Sequence, residues 1–202
     1  MPVSTSRLEA FSDGVFAIAI TLLVLEISVP TGRGNDLWQA LGEQWPSYAG
    51  FVLSFFTIGI IWVNHHAAFD WVARTDRSLL FLNLLLLMAV AFIPFTTALM
   101  ADYLREARGQ DVAAAVYSAS LLLMSLSFAE TTRYVHAHPA LLKPSTTEPG
   151  AAWRRQRRNL AGHFAYAVAV GLAFVNVYVS VGICALVAVS YIPAGATQRF
   201  ES

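Results

Sequence analysis

The chain has 202 residues and no net charge at neutral pH, with 13 basic and 13 acidic side chains. Hydrophobic residues make up 56% of it and charged residues only 13%, about half the charged fraction of an ordinary soluble domain. The mean hydropathy is +0.55. These values argue against a soluble domain, and the balanced charge gives no reason to expect a nucleic-acid partner. We expect an all-α integral membrane protein in contact with the lipid bilayer.

The first apolar segment carries polar residues that most membrane-spanning helices lack: Arg7, Ser12, Asp13, Thr21 and Glu26. A charge at the bilayer centre costs roughly 2.5–3.5 kcal/mol on insertion scales, so such groups usually face protein or water. No convincing small-residue cleavage site follows the segment, which therefore predicts a retained first helix rather than a signal peptide. Its polar residues make it the first candidate for a functional surface.

A helix needs about 20 apolar residues to cross the hydrocarbon core. The apolar runs predict six transmembrane helices in a single domain covering residues 1–202, at about 8–29, 46–70, 78–101, 112–136, 158–174 and 178–194. The last pair is closely spaced, and Asn176 between them indicates a short turn. A chain with five spans remains the alternative.

Basic residues are distributed unequally between the two sides that six spans would create. Three lie on one side, Arg33, Arg105 and Arg108, and ten lie on the side of the termini: Arg7, Arg74, Arg77, Arg133, Lys143, Arg154, Arg155, Arg157, Arg158 and Arg199. Cytoplasmic loops of membrane proteins carry an excess of Lys and Arg. The distribution therefore predicts a multi-pass protein of the cell membrane with both termini in the cytoplasm.

The first span has a regular stripe along one helical face. Gly14, Ile18, Thr21 and Leu25 recur at i, i+4, i+7 and i+11 spacing. In a symmetric oligomer, this stripe would stack apolar and hydroxyl rings around an axis, with Glu26 concentrating cations near the outer mouth. The alternative is an ordinary buried stripe, in which the threonine hydroxyl bonds to its own helix.

The inner end of the second span is polar, with Trp62, Asn64, His65, His66 and Asp70. It lies at about the same depth as the polar start of the first helix. Since hydrocarbon offers no other partner, we expect the two patches to satisfy each other. Four more polar residues could join them from later spans: Asn83, Glu130, Arg133 and His163.

The adjacent histidines also raise the possibility of a metal site. Neighbouring residues on a helix point about 100° apart, so His65 and His66 are poorly placed to share one ion. His66 and Asp70 are better spaced, but no second histidine pair at ligand spacing accompanies them, and the single cysteine, Cys184, lies in a distant apolar run. The pattern favours a structural hydrogen-bond network and no metal.

The segment Arg7-x-x-x-Phe11-Ser12-Asp13, followed by Ile18, Thr21 and Leu25, resembles the signature of the transmembrane-protein-175 family of potassium channels. The Trp62, Asn64, His65 and His66 group on the second span adds to this resemblance, which covers the full chain. It implies a prokaryotic homotetramer of six-span units, with a central pore lined by the first helix and no carbonyl filter. It implies no cofactor beyond permeant potassium or other monovalent cations.

The resemblance also implies roles for individual residues. Ile18 and Leu25 would form the pore constriction, and Thr21 would form a hydroxyl ring tied to potassium preference. A network holding the first helix would draw on the remaining motif residues: Arg7, Phe11, Ser12, Asp13, Trp62, Asn64, and His65 or His66. Which histidine takes part is open at this point.

Two other functions compete with the channel hypothesis. A carrier for a small solute or for protons could use Asp13, Asp70 and the histidines as relays. A metal-dependent membrane enzyme could be built on His65, His66 and Asp70, but it would need further ligands from a second helix. We expect a channel and no enzymatic activity.

Overall fold

A computed structural model describes residues 5–30, 37–106, 108–143 and 149–195, with the side chains of 149–159 and 192–195 left out. Seven α-helices lie in these ranges: α1 (Thr5–Leu22), α2 (Leu37–Glu43), α3 (Trp45–Phe69), α4 (Arg77–Tyr103), α5 (Gln110–Ala137), α6 (Pro149–Ala173) and α7 (Val177–Gly195). Short 3₁₀ turns follow α1 at Leu23–Glu26 and α5 at Pro139–Leu141.

Four of these helices, α1 with its 3₁₀ turn, α3, α4 and α5, are long and apolar enough to cross a membrane. Two shorter apolar helical stretches, Leu160–Ala173 and Val177–Tyr191, belong to α6 and α7. The all-α membrane fold expected from composition is confirmed. Helix α6 begins nine residues before its predicted span, at 149 rather than 158, because hydropathy marks only the apolar part of a helix.

Local sequence signals account for where several helices begin. Asp76 caps α4 by accepting a 2.8 Å hydrogen bond from the backbone nitrogen of Leu79. Pro46 lies in the first turn of α3, where its missing N–H costs nothing. Gly109, at φ 84°, precedes α5 in a conformation that disfavours side chains. The turn expected at Asn176 is present, and its side-chain oxygen accepts from the Val179 nitrogen.

The bundle interior is apolar but contains a group of hydroxyls between α3, α4 and α5. The Ser54 hydroxyl lies 2.7 Å from that of Thr97 and 3.0 Å from that of Tyr117, and all three residues are buried. Without water in hydrocarbon, polar groups on neighbouring helices satisfy one another. This cluster fixes the relative positions of three helices.

At one end of the bundle, α1 and α4 begin and α3 ends. We call this end the base. There the turn after α3 pairs with the segment after α5 through a bridge between Val72 and Leu142. An apolar cluster sits on this bridge, and it includes Leu8 of α1 together with Phe69, Val72, Leu79, Val135 and Leu141. The start of α1 is thereby attached to three other parts of the chain.

Asp76 also ties the base together from the start of α4. The hydrogen bond from the Leu79 backbone and a 2.7 Å bond from the Tyr134 hydroxyl of α5 hold the pKa of its carboxyl below the usual value. Both bonds favour the charged form of Asp76, so the carboxylate contributes to stability at neutral pH.

Candidate functional site

Helix α1 has one face that packs against its own chain. Its buried residues recur at helical spacing and lie against α3 and α4: Leu8, Ser12, Phe16 and Ala19, with Leu23 in the following turn. Phe16 is 1% exposed and its ring lies 5.4 Å from that of His65 on α3. This face holds α1 in the bundle.

The opposite face of α1 has no cover within the described residues of one subunit. It carries the predicted stripe, with Ile18 60% exposed and Leu25 74% exposed, and Gly14 and Thr21 are also exposed. Phe11 lies on this face toward the base. Glu26 is half-buried, next to Leu25 in the 3₁₀ turn that ends the helix. The stripe is therefore an open surface and not part of the subunit's core.

The Thr21 hydroxyl makes a bifurcated hydrogen bond to its own helix. It donates to the carbonyl oxygens of Ala17 at 3.0 Å and Ile18 at 2.9 Å. A hydroxyl has one proton and two lone pairs, so this arrangement commits the proton to the backbone. The lone pairs of the exposed oxygen are then available to a cation.

Three buried side chains form a continuous hydrogen-bond chain from α1 through α4 to α3. The Ser12 hydroxyl donates to the Leu8 carbonyl at 2.8 Å and accepts from the Asn83 amide nitrogen at 3.0 Å. The Asn83 amide oxygen lies 2.8 Å from Nε2 of His65, which must then be the donor. The chain explains how polar residues are accommodated on the buried face of α1.

His65 is held by aromatic contacts as well as by Asn83. Its ring stacks on Phe69 at a centroid distance of 4.3 Å and contacts Phe16 of α1. His66 points to a different side of α3, where it stacks on Trp62 and lies 4.0 Å from the Asp70 carboxylate. The buried hydrogen-bond chain therefore uses His65 and not His66.

A second link between α1 and α3 lies nearer the surface. The Trp62 indole nitrogen donates to the Asp13 carboxylate at 2.9 Å. A hydrogen bond to a charged acceptor is stronger than one between neutral groups. Together with the Ser12–Asn83–His65 chain, it connects successive residues of α1, Ser12 and Asp13, to two residues of α3 about one turn apart.

The other polar residues expected in the network behind α1 do not take part in it. The Asn64 amide donates to the Ile60 carbonyl on its own helix, and Asn64 lines a pocket together with residues of α5, α6 and α7. Glu130 and Arg133 form an exposed ion pair with each other, and His163 contacts the Ser125 carbonyl. Arg7 is exposed and makes no hydrogen bond or ion pair with the part of the chain that the structure describes.

Sequence reasoning gave Asn83 and Phe16 less weight than the structure does. An asparagine within the apolar run 79–93 was the available signal for Asn83, because a lone amide in a membrane helix needs a partner. Phe16 gave no signal, since an aromatic residue in an apolar helix is unremarkable. Among the described residues, no group of three or more His, Cys, Asp or Glu side chains could hold a metal ion.

Comparison with known proteins gives the same family as the motifs. Residues 7–94 match the model of the family described as endosomal/lysosomal potassium channel TMEM175. The chain is 51% identical to a potassium channel of Streptomyces collinus over 93% of its length and 91% of that protein. It is 44% identical to a potassium channel of Chamaesiphon minutus, with 93% of both chains covered.

A solved structure supports the relationship. The crystal structure of a lysosomal potassium-selective channel TMEM175 homolog from Chamaesiphon minutus superposes with a TM-score of 0.84 at 41% identity. The superposition covers 95% of this chain and 97% of that one. The relatives are ion channels, which excludes the enzyme hypothesis. The chain is a multi-pass membrane protein and a prokaryotic-type member of the TMEM175 family.

Proposed function

We propose that the chain is a subunit of a potassium-preferring cation channel whose pore is lined by the exposed face of α1. The single observation that carries this proposal is the open stripe of Ile18, Thr21 and Leu25 on a helix whose other face is fully packed. Relatives also support the proposal, because two bacterial proteins that match almost the whole chain are named potassium channels.

Four copies of a six-span unit would surround the pore, with α1, α3, α4, α5, α6 and α7 as the spans. A homotetramer turns each stripe residue into a ring of four. Rings of Ile18 and Leu25 would narrow the pore and control it by excluding water, since an apolar constriction resists hydration. Glu26 would raise the local cation concentration at the outer mouth.

Selectivity would come from the ring of Thr21 hydroxyls rather than from backbone carbonyls. The hydroxyl proton is committed to the carbonyls of Ala17 and Ile18, which favours an oxygen lone pair directed away from the helix. Four such oxygens can replace part of the hydration shell of a monovalent cation. No cofactor is needed for this function.

The hydrogen bonds behind α1 would keep these rings in register. Ser12 is held through Asn83 to His65, and Asp13 is held by Trp62. Both links lie close to the base. Ser12 and Asp13 are about one to two helical turns from Ile18, on the side of the base. The unequal distribution of basic residues favours an orientation in which this base and both termini lie on the cytoplasmic side of the cell membrane. The side chains of Arg33, Arg154, Arg155, Arg157, Arg158 and Arg199 lie outside the described residues.

Reconstitution in potassium-loaded liposomes tests the proposal. Fast flux that rises linearly with the potassium gradient, and that exceeds sodium flux under the same gradient, is the expected result. Flux that saturates with substrate or that requires a proton gradient would indicate a carrier instead. Equal potassium and sodium flux would leave a channel but remove the proposed preference.

A further inference from the structure

The base of the bundle carries exposed basic residues on two segments that backbone hydrogen bonds bring together. The Arg74 backbone nitrogen donates to the Leu141 carbonyl at 3.3 Å. The Lys143 backbone nitrogen donates to the Trp71 carbonyl at 3.0 Å. Arg77 begins α4 three residues after Arg74, so the two Cα atoms are within about 11 Å of each other. The side chains of Arg74, Arg77 and Lys143 are all exposed.

The Arg77 guanidinium is positioned by an aromatic ring but keeps its hydrogen-bond donors. Its central carbon lies over the Phe81 ring, 5.7 Å from the ring centroid. A cation in this position is attracted by the face of the ring and needs no hydrogen-bond acceptor. None of the guanidinium N–H groups of Arg77 has an acceptor among the described residues. They are arranged as a planar fork that matches the paired oxygens of a phosphate.

No carboxylate in the described part of the chain pairs with Arg74 or Arg77. Asp76 lies between them in the sequence, but its carboxylate accepts hydrogen bonds from the start of α4 and from α5. Asp70 lies near His66 instead, at 4.0 Å. The base therefore presents positive charge that the described residues do not neutralise.

An exposed apolar face of α4 runs from Phe81 away from the base. Its exposed members recur at helical spacing: Phe81, Leu84, Leu85, Met88 and Phe92. Trp71 follows the end of α3 at the base and is also exposed, and tryptophan is enriched where membrane helices reach the headgroup region. The basic residues thus lie at headgroup depth, next to a surface that suits an acyl chain.

We propose that the base binds an anionic phospholipid, with its phosphate at Arg74 and Arg77 and an acyl chain along the exposed face of α4. Lys143 adds a third positive charge beside this headgroup. A zwitterionic lipid brings no net negative charge to balance these cations, so an anionic headgroup is favoured. A lipid is favoured over a free phosphate ion, because contact between its acyl chain and α4 adds to the attraction between charges.

The site flanks the apolar cluster that attaches α1 to the base. Val72 and Leu79 belong to this cluster together with Leu8 of α1. In the sequence, Val72 follows Trp71 and Leu79 comes two residues after Arg77. A lipid bound to the folded chain at this point stabilises the base. An effect on conduction would rest on the proposed channel function, whereas lipid binding is measured without ion flux.

Fluorescence quenching in vesicles tests where the lipid binds. Leu84→Cys places a thiol for a fluorophore on the apolar face of α4, and Leu186→Cys places one on an exposed face of α7, while the native Cys184 is buried. The vesicles are dioleoylphosphatidylcholine with a small fraction of either phosphatidylglycerol or phosphatidylcholine that has brominated chains. At position 84, half-maximal quenching should need about fivefold less brominated phosphatidylglycerol than brominated phosphatidylcholine. At position 186 the two lipids should quench equally, and equal quenching at position 84 would overturn the proposal.

Two matched variants in the Leu84→Cys background test the headgroup contact. Arg77→Gln removes the guanidinium and should abolish most of the preference for phosphatidylglycerol at position 84. Arg108→Gln removes an exposed arginine between α4 and α5, at the opposite end of the bundle, and should keep the preference. The same preference in both variants would mean that anionic lipid is attracted without a site at Arg77, which contradicts the proposal.

Inorganic phosphate distinguishes a lipid site from a site for a free anion. Quenching by brominated phosphatidylglycerol at position 84 should be the same in phosphate as in chloride of equal ionic strength, because phosphate has no chain to contact α4. Quenching that is lost in phosphate and kept in chloride would show a free-anion site and overturn the lipid assignment.

Melting temperatures of the purified protein in detergent give an independent readout. Dioleoylphosphatidylglycerol should raise the melting temperature of the wild type and of Arg108→Gln more than dioleoylphosphatidylcholine does. In Arg77→Gln the two lipids should have equal effects. A preference for phosphatidylglycerol that is the same in all three proteins would rule out Arg77 as a binding residue and overturn the proposal.

Discussion

The two faces of α1 differ in what covers them, not in how apolar they are. One face buries Leu8, Ser12 and Phe16 against α3 and α4, and its polar group is fully hydrogen-bonded. The other exposes Ile18 and Leu25, which are as apolar as any core residue. Hydrophobicity alone therefore cannot separate a packing face from a functional one. The difference predicts that substitutions on the first face reduce stability and that substitutions on the second alter ion flow.

Phe16→Ala should produce the largest effect. Removing a fully buried aromatic side chain from a packed core typically costs about 3–5 kcal/mol. Phe16 also contacts the ring of His65, so its loss loosens two helices. Thermal unfolding of the purified protein in detergent measures the change. Ile18→Ala is the matched control on the opposite face, and a similar loss in both variants would contradict the assignment of the two faces.

Asn83→Leu should rank next. It leaves both the Ser12 hydroxyl and the His65 ring without their shared partner, at an expected cost of about 1–2 kcal/mol in unfolding free energy. A double-mutant cycle with Ser12→Ala isolates the link between them. The two costs should be less than additive, because each variant removes the same hydrogen bond. Full additivity would mean that the bond contributes nothing.

Ile18→Ala should leave stability almost unchanged and raise potassium flux. If the ring of four Ile18 side chains accounts for about 1.4 kcal/mol of the barrier to permeation, the potassium flux of the variant would be about tenfold higher. Liposome flux at equal protein content measures this. Leu186→Ala, on an exposed face of α7, is the control and should conduct as the wild type does. Unchanged flux in Ile18→Ala would argue against a constriction there.

Thr21→Val should change selectivity without a large change in stability. The two side chains have nearly the same shape, and valine lacks the oxygen that would contact a cation. We expect the ratio of potassium to sodium flux to fall several-fold, with Thr21→Ser retaining most of it because the hydroxyl remains. Reduced stability with an unchanged ratio would indicate that this hydroxyl acts only on its own helix.

Asp76→Asn should have the smallest effect, which is present at neutral pH and disappears at acidic pH. The folded-state pKa of Asp76 lies below its unfolded value of about 3.9, so its contribution is present at neutral pH and is lost as pH falls through the folded-state pKa. The wild type should therefore lose melting temperature below about pH 4 more steeply than the variant. Asp102→Asn, an exposed carboxyl at the other end of α4, should keep the steep profile.

The pattern of polar and apolar residues along the sequence was sufficient to predict features that lie within one helix or at its end. The spacing of Ile18, Thr21 and Leu25 was readable because residues three and four apart share a helical face. Asn176 marked the turn between α6 and α7 because a polar residue interrupts an otherwise apolar run. The short helix α2 was not predicted, since its seven residues lie in a polar connection without a clear pattern.

Contacts between helices were harder to read from the sequence. The sequence alone does not distinguish His65 from His66, because both are histidines at adjacent positions. They are distinguished by the position of Asn83 on α4, which bonds to His65. Asn64 was expected beside α1 but lies on another face of α3, because the 100° step between neighbouring residues separates it from His65. Relative rotation of helices is set by packing, and a single sequence does not encode it in a visible pattern.

Cysteine accessibility tests the central claim that the exposed face of α1 lines the pore. The single native cysteine, Cys184, is buried, so the wild-type chain provides the background. A water-soluble thiol reagent should block potassium flux in Leu25→Cys and leave it intact in Leu186→Cys and in the wild type. Reaction at position 186 with no block at position 25 would contradict a pore along α1.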